Sequence, residues 1–253
     1  MLDIEKRSHQ LGLQVAFGAF LLTVYIIMAQ TVIERLPMPQ LIVEAFIIQV
    51  QDQGLLEAFY DGLQAILVGF LISVVVGIPL GLAMGVNRFV EEFADPYVNG
   101  LYVVPIAALV PAFIIWFGTG FRVRLVIVFI FAVFPIIINT FEGAKTAPDN
   151  LLEVAESFNA SKRFKIQKVI IPHEVPYILA GLRLGIGRAV KGLVVTEIIV
   201  AVSGIGGILK IWSASYKLEG VTSIVLALMV LGIALPWMLK QLHKRVVWWD
   251  ASH

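Results

Sequence analysis

Uncharged apolar runs alternate along the chain with short charged segments. Leu11–Ile33 carries no charge over 23 residues, Gly62–Asn87 over 26, Pro96–Phe121 over 26, Leu125–Phe141 over 17 and Val221–Leu239 over 19. A helix of about 20 apolar residues crosses a bilayer core of ~30 Å. A sixth run, Tyr177–Val202, is apolar overall but holds Arg183, Arg188, Lys191 and Glu197. The pattern predicts an all-α integral membrane protein, one transmembrane domain over residues 1–253. Its spans fall at about 11–33, 62–87, 97–121, 125–141, 177–202 and 221–241. Lys6 and Arg7 precede the first run as in a signal peptide. That run exceeds the usual apolar core of about 7–15 residues and no A-x-A-like site follows, so an uncleaved first helix is expected.

Two connections are long, residues 34–61 and 142–176. The first contains Pro37-Met38-Pro39 and then an apolar stretch from Leu41 to Val50. Two readings stand for it, a short helix at the membrane surface and a passive connector. Within the spans, Gly69, Ser73, Gly77, Gly81 and Gly85 recur at steps of four, and Gly181, Gly185 and Ala189 repeat the device. Small residues at this spacing let helices pack closely in lipid. Pro79, Pro105, Pro111 and Pro135 interrupt hydrogen-bond ladders inside spans, which hints at a translocation path.

The second long connection is the most informative. Residues 149–172 read DNLLEVAESFNASKRFKIQKVIIP. Asn150 with Glu153 predicts a capping box, with Leu151, Ala155 and Phe158 on one helix face. Asn159 suits the left-handed turn that ends a helix. Ser161 predicts a cap for a second helix, Lys162–Ile170, which Pro172 would close, with His173 at its end. The expectation is a helix–turn–helix.

Composition sharpens this picture. Apolar residues reach 59% and charged residues only 15%, against about 45–50% and 25% in soluble domains, with a mean hydropathy of +0.90. The 19 Lys and Arg balance 18 Asp and Glu, which argues against nucleic acid as a partner. The absence of cysteine excludes thiol chemistry, and the four histidines have no metal-ligand spacing. No Ser/His/Asp set or H-E-x-x-H motif appears, and no G-x-x-x-x-G-K-[ST] loop to cradle phosphates. SGIGG at 203–207 is expected to be a flexible turn.

With the amino terminus inside, eleven Lys and Arg face the cytoplasm: Lys6, Arg7, Arg88, Lys145, Lys162, Arg163, Lys165, Lys168, Lys240, Lys244 and Arg245. Five face outward: Arg35, Arg122, Arg124, Lys210 and Lys217. The bias places both termini in the cytoplasm.

The 149–172 segment resembles the cytoplasmic loop E-A-A-x3-G-x9-I-x-L-P of the membrane subunits of binding-protein-dependent ABC importers. Glu153, Ala155 and Pro172 match in type and spacing; Val169 and Ile171 take the isoleucine and leucine places. Val154 departs from the middle alanine and Asn159 from the glycine. LPMPQ, VVGIPLGLAMG, PAFIIWFGTG, FPIIINTFEG and PYILAGLRLGIGRAVKGLVVTEII, in order over residues 36–245, resemble the nitrate/sulfonate/taurine-type permeases.

The resemblance implies a type I ABC importer permease fold in the bacterial cytoplasmic membrane, with the 149–172 loop as the coupling element. It implies a second copy of the permease, a cytoplasmic ATPase dimer that carries the ATP and Mg, and an extracytoplasmic solute-binding protein. The chain itself would bind no cofactor. Implied coupling residues are Glu153, Ala155, Phe158, Asn159, Ala160, Val169 and Pro172. Ala155 is assigned to close approach, Phe158 to anchoring, and Glu153 to capping with polar contact to the ATPase. Lys162, Arg163, Lys165 and Lys168 face either acidic groups of that partner or lipid headgroups.

Charges at membrane depth each need an account. Arg183 can snorkel inward. Arg188 and Lys191, at i and i+3, either line the pathway or contact inner loops, the ATPase or lipid phosphate. Glu197 either pairs with a neighbouring helix or gates the path. The implied solute is small and anionic: a sulfonate, taurine, nitrate, bicarbonate or similar. An ion-gradient-driven transporter and a membrane-embedded enzyme are the rival classes.

Overall fold

The computed structural model describes residues 13, 16–20, 23–28, 36–200 and 202–246, the last five as backbone only. The described parts of the first run, 16–20 and 23–28, are helical, and Tyr25 donates its hydroxyl hydrogen to the Pro37 carbonyl at 2.7 Å. The rest of that run, Lys6 and Arg7, and the chain termini lie outside the described residues, as do the side chains of Lys244 and Arg245.

Ten helices follow: α1 Pro39–Asp52, α2 Leu55–Val86, α3 Arg88–Val103, α4 Ile106–Phe117, α5 Phe121–Lys145, α6 Asp149–Ser157, α7 Lys162–Lys165, α8 Ile171–Val200, α9 Gly204–Ala214 and α10 Leu218–Val246. A π turn, Ile166–Ile170, joins α7 to α8. Among the described residues, three helices are long and apolar enough to cross a membrane, Leu55–Val86, Phe121–Lys145 and Leu218–Gln241. Two bent pairs meet the same test as units, Arg88–Val103 with Ile106–Phe117 and Lys162–Val200 with Gly204–Ala214.

Lipid offers no hydrophobic drive for helix association, so close backbone approach carries it. α5 lies between two small-residue seams. A Cβ on Gly69 would stand 2.7 Å from Val128 Cγ1, and one on Gly81 2.6 Å from the Ile137 carbonyl oxygen. From the other side, a Cβ on Gly181 would meet Asn139 Cβ at 2.9 Å and one on Gly185 would meet Ile136 Cγ1 at 3.0 Å. Ser73, fully buried, sits 2.8 Å from the Gly69 carbonyl and 3.1 Å from that of Phe129, bridging α2 to α5. The small-residue pattern is therefore the packing surface of the central three helices.

The span expected to run unbroken over 97–121 is folded instead. α3 and α4 meet at 96° around Val104 and Pro105. Pro105 has no N–H, and a residue before proline is pushed out of the α region; Val104 is extended at φ −59°, ψ 130°. Pro111 and Pro135, by contrast, stay inside their helices.

The connection 34–61 is not passive. α1 packs on α10 with Ile42, Ala45 and Gln49 buried. Gln49 donates from Nε2 to the Gly220 carbonyl at 2.9 Å and accepts from Ser223 Oγ at 2.8 Å. Trp212 Nε1 donates to Gln53 Oε1 at 2.8 Å. A buried amide satisfied at both ends fixes the helix in one register.

Candidate functional site: the prong and the charged helix

The prong is built from α6, α7 and the π turn. α6 starts earlier than the capping-box pattern predicts. Pro148, not Asn150, is the N-cap, and no side chain caps the first turn. Its carbonyl accepts from Leu151 and Leu152, and Asp149 supplies negative charge at the positive helix end. Glu153 therefore sits inside the helix and caps nothing, which corrects that expectation.

The turn is as predicted. Asn159 is left-handed at φ 53°, and the Ala160 N–H donates to the Ala155 carbonyl at 2.9 Å, closing the helix end. Ser161 Oγ then accepts from the Phe164 N–H at 3.3 Å and starts α7. Pro172 does not stop the second helix, and His173 lies inside α8. Proline at a helix start forgoes only a donor, and the wider π turn before it makes room for the ring. α7 thus continues through the π turn into α8, so the prong is joined directly to a membrane helix.

The apolar residues of α6 divide between two faces. Ala155 is 8% exposed and faces the protein, while Leu151 (49%), Val154 (55%) and Phe158 (82%) point away from it. Ala155 thus packs within this chain rather than lying open to a partner. Leu152 packs with Ala144, Ala147 and Ile170 at the root. Glu156 and Lys165 pair at 2.7 Å, tying α6 to α7. That bond with Lys165 holds the Glu156 carboxyl below its ordinary range. Of the four basic residues, Lys165 is committed internally; Lys162, Arg163 and Lys168 are exposed. Val169 is half-buried in the π turn, and Pro172 is exposed. At the root, Lys145 also pairs with Glu91, joining the end of α5 to the start of α3.

The charges of α8 divide the same way. Gly185, Ala189 and Gly192 face α5, and Arg188 and Lys191 are exposed on another face. Arg188 Nη2 donates to the Tyr102 hydroxyl at 2.7 Å, with the guanidinium carbon 4.7 Å from the Tyr102 ring centre. Glu197 is instead 3% exposed and 2.7 Å from Arg124 Nε, itself 8% exposed. The pair is held by charge rather than by an aligned hydrogen bond. Glu197 also accepts the Gly206 N–H at 2.9 Å. Of its two readings, pairing with a neighbouring helix is the one the geometry takes.

The SGIGG segment forms the first turn of α9 rather than a flexible turn. Gly204 is left-handed at φ 66°, and a Cβ on Gly206 would lie 1.8 Å from the Glu197 carbonyl oxygen. Tyr102 and Glu156 escaped sequence reasoning because their partners are far away or across a turn. Arg124 had only its position against the charge bias as a signal.

The described helices form a bundle of membrane-length apolar segments with a helix–turn–helix prong joined directly to one of them. Residues 73–248 match the family of binding-protein-dependent transport system inner membrane components, and the chain belongs to it. It is 30% identical over 186 residues to the putative aliphatic sulfonates transport permease protein SsuC of Bacillus subtilis, covering 74% of this chain and 67% of that one. It is 35% identical over 182 residues to the bicarbonate transport system permease protein CmpB of Synechococcus elongatus, covering 72% and 64%. The chain thus spans about two thirds of the length of these relatives. A chain of the MetNI methionine ABC transporter, in inward facing conformations, matches with a TM-score of 0.57 at 18% identity over 74% of this chain and 92% of that one. The fold is that of an ABC importer permease.

Proposed function

We infer that this permease works with a separate cytoplasmic ATPase dimer, which binds ATP and Mg, and with a second copy of itself. An extracytoplasmic binding protein delivers the solute. Both termini and the prong face the cytoplasm. The observation that carries this reading is the uncovered stripe Leu151, Val154 and Phe158 on a helix otherwise locked to its own chain. An apolar stripe in helical register is the form in which a helix docks in a groove. Glu153, exposed on the same short helix, supplies polar contact there, and Asn159 and Ala160 hold the turn that presents Phe158. Ala155, buried against its own chain, and Val169, half-buried in the π turn, transmit from within, and Pro172 stands where the prong joins α8.

The solute is a small anion. SsuC and CmpB are named for sulfonates and bicarbonate, which share a head of three oxygens around one centre. Arg188 and Lys191 form the cationic exposed face of α8, and Glu197 stays in its ion pair beside the path. A guanidinium matches such a head with paired donors. Purifying the full-length chain from cells that also express the ATPase tests the reading. Wild type should bring the ATPase with it, and Leu151→Ser with Phe158→Ser should not; a chain that moves solute down an ion gradient without nucleotide would contradict it.

A further inference from the structure

The fold at Val104–Pro105 builds a small cavity next to Arg188, and nothing above assigns it. It measures about 220 Å³ and is lined by Tyr102, Pro105, Ala107, Phe131, Phe134 and Arg188 among others. Its size is below the roughly 300–1,000 Å³ of sites for drug-sized ligands. Its walls are apolar, with Arg188 as the charged group. Among the described residues no carboxylate lies within ion-pair distance of Arg188. A guanidinium has five N–H donors, and the Tyr102 hydroxyl is the partner seen for Arg188.

Tyr102 is itself braced. Its ring meets Phe134 of α5 edge-on, with centres 6.5 Å apart. Tyr102, two residues before the break, lies against Arg188 of α8. The ring and hydroxyl together hold the guanidinium in one place on the cavity lining, so the cation is positioned before any ligand arrives.

Resting on the importer reading, we propose that Arg188, positioned by Tyr102, forms a subsite for the oxyanion head of a short organic anion. The anion's tail lies against Phe131 and Phe134. A bare inorganic ion would gain nothing from those walls, whereas an alkyl tail of a few carbons is stabilised by leaving water. Tyr102 is a positioning residue; Arg188 makes the contact.

The test is chemical protection of the purified full-length chain. Labelling of Arg188 by phenylglyoxal, an arginine-selective reagent, is followed by peptide mass spectrometry, with exposed Arg163 as control. Propanesulfonate should slow labelling at Arg188 by about tenfold, the size expected of charge-assisted hydrogen bonds. Nitrate should protect less, and the neutral analogue methyl propyl sulfone not at all; Arg163 should not respond. In Tyr102→Phe, which keeps the ring and loses the hydroxyl, protection should fall about threefold, the low end of the net worth of a hydrogen bond. In Tyr102→Ala it should be lost.

Equal protection by the sulfone, or none by propanesulfonate, overturns the subsite. Protection by nitrate equal to that by propanesulfonate overturns the role of the apolar walls. Full protection in Tyr102→Ala overturns the positioning role. Co-purification of the ATPase is scored separately: its loss in wild type sinks the importer reading, and its persistence without protection sinks only this subsite.

Discussion

The prong and the corner between α8 and α9 use polar and apolar groups in opposite ways. At the corner, where α8 turns into α9, buried Arg124 and Glu197 face each other as an ion pair, and Glu197 also accepts the Gly206 N–H. At the prong, the charged groups are outside and Leu151, Val154, Phe158 and Phe164 are left bare. A region that pairs its polar groups internally is complete on its own. One that leaves an apolar stripe uncovered is shaped for another surface. The first holds the fold; the second presents an open apolar surface.

Substitutions can break this contrast. Glu197→Ala should have the largest effect, because it strands Arg124 without a partner; removing one member of a buried pair costs about 3–5 kcal/mol. Thermal unfolding in detergent should show a marked fall in Tm, or the protein should fail to accumulate in membranes. Gly206→Ala should follow, at about 1–3 kcal/mol for a forced shift in a packed site. Its Cβ meets backbone, the Glu197 carbonyl oxygen, which no rotamer change can relieve.

Phe158→Ala should leave stability within about 0.5 kcal/mol, as for an exposed site, while uncoupling ATP hydrolysis from uptake. An equal Tm with lost uptake is the expected pair of readings. The smallest effect is at Glu156. Its pKa is depressed in the folded state by Lys165. The contribution is therefore present above the ordinary carboxylate pKa and disappears as pH falls through the depressed value. Protease cleavage of the loop should be slightly faster in Glu156→Gln than in wild type at neutral pH, and the difference should vanish in acid.

Much of this was written in local pattern. The spans near 62–87, 125–141 and 221–241 follow from charge-free length, and Asn159 and Ser161 from backbone preference at single positions. What escaped is what depends on neighbours. Pro105 breaks a span and Pro172 starts a helix, yet both are only prolines in apolar sequence; the π turn decides the second case. Asn150 is a good cap, but Pro148 supplies the capping position two residues earlier. The face of α6 that stays open is set by what Ala155 and Leu152 meet at the root, which periodicity alone does not reveal. Arg124 with Glu197, and Arg188 with Tyr102, are pairs between distant segments that no spacing rule reports.

The most direct measurement is solute uptake and ATP hydrolysis together, in vesicles containing the whole transporter with Phe158→Ala in this chain. The account predicts that uptake collapses while the chain inserts normally and keeps its wild-type Tm. Uptake equal to wild type would contradict it.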